Sequence, residues 1–308
     1  MAIERISCAP DGGINEDLVA VFDTDGLIDL LVLDGATSVA DRQVVEACQG
    51  DVAWFVQAFA AALGPVIDAT RSQADSVQLA LASVQRTYFE KTAGQDVPVH
   101  AWPLAALTWI RIRPSAGQLA LSLYCLGDCK AFAVDADGVV IDLDPYVNPF
   151  ETVVQEAVAA LARDGVIDPL ERRTRLLPLL RTRREAQHGA AAPTALCLQP
   201  RGPFQARETT LRLPAGTAVL AMTDGFNRLA DAYGLYSQES LVRRCRSAGL
   251  AGPMAELRAW EAARATGTLA VKNADDASAV MWTQDRVDSD NPTIRPGPAS
   301  ARATEEPA

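Results

Sequence analysis

Alternating side chains mark the clearest strand of this sequence. Between residues 118 and 125, every second residue is Leu or Cys, and the intervening residues are smaller or more polar. This period of two is typical of a half-buried strand. The apolar runs 104–112 and 130–134 lie on either side of it, and we predict that the three runs form one antiparallel meander.

A second strand pair is predicted near the N-terminus. The apolar runs 18–22 and 27–33 flank the turn-forming sequence Asp23-Thr24-Asp25-Gly26, and this arrangement predicts a hairpin. Two further runs, 218–222 and 277–282, have the length and composition of buried strands.

Helical periodicity predicts six helices. They span residues 51–67, 73–92, 151–163, 169–184, 237–247 and 253–266. Asp51 stands at the start of the first helix and is a candidate N-cap. Strands cluster and helices come in pairs, without the strand–helix–strand alternation of a parallel sheet. The pattern therefore predicts an α+β protein whose antiparallel sheets are covered by paired helices.

The charge of this 308-residue chain limits its partners. It has 28 Lys and Arg residues against 39 Asp and Glu residues, a net charge of −11. Nucleic acids and anionic membranes are bound through basic surfaces, so we expect neither as a partner. The longest apolar stretch, 53–67, is too short and too interrupted to span a bilayer. The first residues lack the apolar core of a signal peptide, and we expect a cytoplasmic protein.

Two other features of composition bear on the domain organisation and on metals. The six cysteines form no C-x-x-C pair and the chain has two histidines, which argues against a zinc site and predicts free cysteines that pack as apolar side chains. Residues 286–308 contain four prolines and almost no large apolar residues. We predict one domain over residues 1–285, followed by a disordered tail over 286–308.

Acidic residues recur where apolar strands begin or end. Asp34, Asp128 and Asp224 adjoin glycines at the ends of such runs, while Glu16-Asp17 and Asp275 precede others. A single Asp-Gly pair is usually a turn. Several carboxylates at the mouths of strands of one sheet, however, would repel one another unless cations neutralised them. Oxygen ligands without His or Cys favour Mg²⁺ or Mn²⁺.

The acidic residues belong to five motifs in a fixed order. These are Asn15-Glu16-Asp17, Leu33-Asp34-Gly35, Leu126-Gly127-Asp128-Cys129-Lys130-Ala131, Met222-Thr223-Asp224-Gly225 and Asp275-Asp276-Ala277-Ser278-Ala279-Val280. In this order, the motifs resemble those of the metal-dependent protein phosphatase 2C-like (PPM) family of serine/threonine phosphatases. The resemblance covers nearly the whole chain apart from the tail. It implies a β-sandwich of two antiparallel sheets flanked by helix pairs, in four layers (αββα).

The resemblance also implies roles for individual residues. Asp34 would bridge two Mn²⁺ or Mg²⁺ ions, with the Gly35 carbonyl on one ion, and Asp224 and Asp275 on the other. Glu16 and Asp17 would hold metal-bound waters, and Asp128 would join Asp224 at a third, weaker position. In this alignment Asp276 replaces the family's Asn. Asp34 and Asp224 are thereby assigned to catalysis, the attack of a metal-bridging hydroxide on phosphoserine or phosphothreonine of a phosphoprotein, the substrate of a serine/threonine kinase.

Several positions depart from the family pattern. Gly12 stands where many members have an arginine that binds the substrate phosphate, and Lys130 replaces an arginine, which loses a bidentate donor. The segment 36–38 lacks the family's two glycines. Two hypotheses follow: an active phosphatase, or a non-catalytic regulatory module that binds phosphoproteins. The intact acidic positions favour the first, because uncompensated carboxylates would destabilise a scaffold.

One basic cluster stands out in this acidic sequence. It comprises Arg172, Arg173, Arg175, Arg181, Arg183 and Arg184. The favoured interpretation is a solvated helix face that pairs with nearby acids, and the alternative is a docking surface for an acidic or phosphorylated partner.

Overall fold

The computed structural model describes residues 1–10, 13–24, 26–115, 117–263 and 274–284. Gly12 and the predicted tail, residues 286–308, lie outside these ranges. The strands are β1 (Ala2–Cys8), β2 (Asp17–Thr24), β3 (Leu27–Gly35), β4 (Leu104–Ser115), β5 (Gln118–Leu126), β6 (Lys130–Val134), β7 (Val140–Asp142), β8 (Leu196–Cys197), β9 (Arg207–Pro214), β10 (Ala218–Met222) and β11 (Ala277–Thr283). The helices are α1 (Asp51–Leu63), α2 (Gln73–Lys91), α3 (Pro149–Arg163), α4 (Pro169–Gly189), α5 (Asp224–Asn227), α6 (Gln238–Ala248) and α7 (Ala251–Ala263).

The strands form two antiparallel sheets that pack face to face. One sheet has the order β1-β11-β10-β6-β7, and the other has the order β2-β3-β4-β5-β9 with β8 beside β4. The alternation along β3 shows how the layers form. Leu31 and Leu33 pack against α1 and α2, whereas Leu30 and Val32 pack into the core between the sheets. Each fully buried aliphatic side chain of this kind stabilises the fold by about 1.5–3 kcal/mol.

A second helix pair completes the layered architecture. Helices α6 and α7 cover the outer face of the β1-containing sheet through a third apolar cluster that includes Leu220, Leu241 and Leu257. The order of layers is therefore helix pair, sheet, sheet, helix pair. This confirms the predicted α+β sandwich of two antiparallel sheets flanked by helices.

The predicted hairpin is confirmed, but the predicted meander is wrong. β2 and β3 pair across the turn that follows Thr24, and β4 pairs with β5. β6, in contrast, pairs with β10 and β7 in the opposite sheet. The chain crosses between the sheets at residues 127–129, where Gly127 adopts a positive φ of 77° that favours glycine. Periodicity along β6 could not show this, because a strand buried on both faces fits either sheet.

The helices differ from prediction mainly at their ends. Gly50, not Asp51, is the N-cap of α1; the Asp51 carboxylate instead accepts hydrogen bonds from the backbone N–H groups of Val44, Val45 and Glu46. Helix α1 ends at Leu63, before a 3₁₀ turn that contains Pro65, because proline lacks the N–H that an α-helix interior needs.

Two long strands were not predicted. β1 and β9 are strands at the edges of their sheets, and their charged side chains, such as Glu4 and Glu208, interrupt the apolar pattern. Edge strands commonly carry charges because one side of the strand meets solvent.

Other sequence expectations concern cysteines and membrane spans. All six cysteines are free; four of them are buried, and Cys48 is exposed. Across the part of the chain that the structure describes, we find no helix with the length and apolarity to cross a bilayer.

Candidate metal centre

The predicted acidic residues meet at one end of the sandwich. Asp17 begins β2 and pairs in register with Asp34 near the end of β3. Asp224 and Asp275 flank β10 and β11 of the other sheet. The negative charges of Asp224, Asp17, Asp128 and Asp275 all act on Asp34 and raise its pKa, so these side chains lie close together. The expectation that they come from one sheet was wrong, because both sheets end at this edge.

Hydrogen bonds join the acidic motifs across the two sheets. The Thr223 hydroxyl donates to Asp17 Oδ2 at 2.8 Å, and accepts from the backbone N–H of Ser278 at 3.0 Å. The backbone N–H of Glu16 donates to Asp276 Oδ2 at 2.7 Å. The motif around Asp17 is therefore fixed directly to the motifs around Asp224 and Asp276.

Two glycines allow these motifs to approach one another. A Cβ atom on Gly35 would clash with the backbone carbonyl of Glu16 and with the Val52 side chain. A Cβ atom on Gly225 would clash with the backbone carbonyl of Asp276. Glycine at both positions removes the atom that would otherwise hold the segments apart.

The electrostatics of this end disfavour ionised carboxylates. The pKa of Asp34 is held well above its usual range, mainly by loss of hydration and secondly by the nearby acidic charges. The same causes raise the pKa of Asp224 to about 7, although that residue is exposed at the protein surface. Desolvation also raises the pKa of the buried Asp17. The cluster therefore carries an electrostatic cost that a bound cation would relieve.

The donor set fits hard divalent cations, although no cage is preformed. Among the described residues, no three His, Cys, Asp or Glu side chains already stand in a metal-holding arrangement. Burial and nearby carboxylates raise the pKa of Cys129, so its thiol stays protonated. The available ligands are thus carboxylate oxygens, which Mg²⁺ and Mn²⁺ prefer.

Asp128 is held by the segment that follows β7. The Asn148 side chain donates to Asp128 Oδ2 at 2.7 Å and also caps α3 by accepting from the backbone N–H of Phe150. Lys130, two residues after Asp128, donates to the Tyr146 carbonyl at 2.6 Å. The position of this predicted ligand therefore depends on the start of α3.

The two neighbouring aspartates before β11 have different contacts. Asp276 accepts from the Glu16 backbone, as described above, whereas the Asp275 carboxylate lies 3.7 Å from Arg228 and acts electrostatically on Asp224. This difference agrees with Asp275 as the ligand and Asp276 as a positioning residue. The metal-ligand roles of all the predicted residues remain predictions.

Three arginines fix the backbone of the predicted ligand segments. Arg184 donates to the carbonyls of Ala36 and Thr37 at 3.0 and 2.9 Å. Arg207 donates to the Gly127 carbonyl at 2.7 Å, and Arg258 donates to the Asp275 carbonyl at 2.8 Å. Sequence reasoning missed these residues, because each lies 17 to 148 positions from its partner and carries no local signal.

The solvated-face interpretation of the basic cluster is wrong for part of it. Arg172 and Arg184 are buried, with 3% and 6% of their surface exposed. Arg173 and Arg181 donate to the carbonyls of Ser38 and Val39, in the loop after Gly35. The predicted pairing with nearby acids is confirmed for Arg175, which pairs with Glu171, and for Arg181, which also pairs with the exposed Asp41 at 2.6 Å. Helix α4 therefore braces the loop that follows the Asp34 motif.

Comparison with known proteins places this arrangement in a family. A model of the protein phosphatase 2C family matches residues 6–260. The serine/threonine phosphatase of S. agalactiae has a similar structure, with a TM-score of 0.53 and 11% identity over 92% of this chain and 99% of that chain. The Mycobacterium tuberculosis phosphatase PstP/Ppp gives a TM-score of 0.50 and 16% identity over 91% and 97% of the two chains. None of the curated proteins matches the sequence significantly.

The two structural matches show a shared fold and no more, because their sequence identities to this chain are low. The match to the family model is the stronger evidence of membership, because it spans most of the sequence and includes the motifs of Asp34, Asp128 and Asp224. This chain therefore belongs to the protein phosphatase 2C family.

Proposed function

We propose that this protein is a Mn²⁺- or Mg²⁺-dependent phosphatase that removes phosphate from phosphoserine and phosphothreonine in proteins. The observation that carries this function is the gathering of Asp17, Asp34, Asp128, Asp224 and Asp275 at one edge of a protein phosphatase 2C fold. A carboxylate cluster of this density is unfavourable in itself, so its presence favours a role in cation binding.

The protein would hold two cations mainly through Asp34, Asp224 and Asp275, with Glu16 and Asp17 around them and Asp128 beside a third, weaker position. When bound, such cations supply an activated water for attack on phosphorus and neutralise charge on the phosphoryl oxygens. The chain's own contribution is to orient these carboxylates. Thr223 and Asp276 fix the N-terminal motif, and the arginines fix the backbone of the ligand segments.

The alternative is a non-catalytic module that binds phosphoproteins. Two sequence features favour it: Gly12 stands where many members of the family have an arginine that binds the substrate phosphate, and the segment 36–38 lacks the family's two glycines. In that case the protein would bind phosphorylated partners without releasing phosphate, and it would have no need of Mn²⁺.

A phosphate-release assay separates the two functions. We expect the wild-type protein to release inorganic phosphate from phosphoserine and phosphothreonine peptides in millimolar Mn²⁺, and EDTA to abolish the release. Calorimetry with the same peptides and with Mn²⁺ alone should be run in parallel. Peptide binding without Mn²⁺ binding and without phosphate release would establish the non-catalytic module instead.

A further inference from the structure

Arg228 is a further arginine beside the acidic cluster. Arg184, Arg207 and Arg258 are engaged by backbone carbonyls, which hold their guanidinium groups in fixed positions. Arg228 contacts a side chain of the cluster itself, with Nη1 3.7 Å from Asp275 Oδ2. It also lies near enough to Asp224 for its positive charge to act on that carboxyl group.

The backbone and the guanidinium of Arg228 both have defined contacts. Its backbone N–H donates to the Asp224 carbonyl at 3.0 Å, and its own carbonyl accepts from Tyr233 at 2.8 Å. The guanidinium lies over the Tyr233 ring, 5.5 Å from the ring centre, and the Tyr233 hydroxyl donates to Glu261. Arg228 is therefore presented to the acidic cluster from a defined position, with 16% of its side chain exposed.

The charge balance changes when cations enter the cluster. Metal-free Asp275 and Asp224 attract Arg228, whereas carboxylates that bind divalent cations lose most of that attraction. A phosphate monoester that arrives at the loaded centre brings two negative charges. The guanidinium group presents several N–H donors in a planar fork, which matches two phosphoryl oxygens at once.

We propose that Arg228 binds the phosphoryl oxygens of the substrate and exchanges its contact with Asp275 for that contact once the centre holds cations. This role rests on the proposed phosphatase function. In this role, a residue that follows β10 recognises the phosphate group of the substrate.

The test compares Arg228→Ala and Arg228→Lys with the wild type. Arg243→Ala serves as the matched control, because Arg243 is an exposed arginine of α6 that pairs with Glu239. Thermal unfolding first establishes that each variant is folded. Calorimetry then measures Mn²⁺ binding and, in saturating Mn²⁺, binding of inorganic phosphate. Steady-state assays with a phosphothreonine peptide give KM and kcat separately.

We expect Arg228→Ala to weaken phosphate binding and to raise KM by about 10–100-fold, the range for loss of a charge-assisted hydrogen-bonded pair. Arg228→Lys should retain an intermediate affinity, and Mn²⁺ binding should be equal or tighter in both variants. Arg243→Ala should match the wild type throughout.

Three results would contradict this role in different ways. Wild-type phosphate affinity and KM in Arg228→Ala would show that Arg228 does not touch the substrate, while the phosphatase function stands. Loss of Mn²⁺ binding in Arg228→Ala would show that the arginine only supports the ligands. If the wild type itself neither binds phosphate with Mn²⁺ nor hydrolyses the peptide, the proposed function fails first.

Discussion

Replacing Asp34 by Asn is expected to lower Mn²⁺-dependent kcat/KM by about 1,000-fold or more, because the variant loses the carboxylate assigned to both cations. The stabilisation of the protein by Mn²⁺ should disappear with it, whereas saturating Mn²⁺ at 100 times Kd should stabilise the wild type by about 2.7 kcal/mol. Phosphate release and thermal unfolding with and without Mn²⁺ measure the two effects. Asp96→Asn, at an exposed aspartate, is the matched control and should behave as the wild type.

The same substitution should stabilise the metal-free protein. The folded-state pKa of Asp34 is raised, so its contribution to stability is lost as pH rises above about 4 through that pKa. Asn carries no charge, so the variant does not undergo this loss. At pH 7.5 in EDTA, we expect a free energy of unfolding about 1–3 kcal/mol above that of the wild type, with a gain that shrinks toward pH 4. A loss of stability in EDTA, or a gain that is independent of pH, would contradict the electrostatic account.

Replacing Gly225 by Ala is expected to be the most disruptive one-carbon change in the site. The added Cβ would clash with the Asp276 carbonyl, a backbone atom that cannot rotate away, so the Asp224 and Asp276 segments must separate. We expect a loss of about 2–4 kcal/mol in the free energy of unfolding, from overpacking and backbone shift. Activity should fall at least about 100-fold, since small displacements of a catalytic group are costly. Denaturant unfolding and phosphate release measure these losses.

Gly189 provides the control for this substitution. It ends α4, and a Cβ placed there would meet no atom within 4 Å. Alanine favours a helix over glycine, so Gly189→Ala should be neutral or slightly stabilising and fully active. Equal behaviour of the two variants would mean that the tight approach between Gly225 and Asp276 does not matter for the site.

The best predictions from the sequence were of elements whose ends are set by neighbouring residues in the chain. The strands 130–134 and 218–222 have the predicted bounds, because short apolar runs between Gly and Asp residues leave little choice of ends. The sheet to which residues 130–134 belong was missed. Their pairing with β10 joins residues more than 80 positions apart, and an apolar strand does not encode its partner.

The candidate site was likewise predictable only in part: its acidic residues were predicted, and the residues that position them were not. The order and spacing of the acidic motifs led to Asp34, Asp224 and Asp275, and in the structure the charges of Asp224 and Asp275 act on Asp34 and raise its pKa. Their roles as metal ligands stay predictions. The groups that position them were not predictable. Arg184 bonds carbonyls 148 and 147 positions away, and in the sequence it is indistinguishable from the exposed Arg175. Asp276 was identified only as a substituted Asn, yet it holds the Glu16 backbone.

The most direct measurement of the central claim is a crystal structure of the protein soaked in Mn²⁺, with the ions located by anomalous scattering. We predict two Mn²⁺ ions about 3.5–4 Å apart, with Asp34 between them and Asp224 and Asp275 on one ion. Saturating Mn²⁺ with no anomalous peak among these carboxylates would contradict the claim that this end of the sandwich is a metal centre.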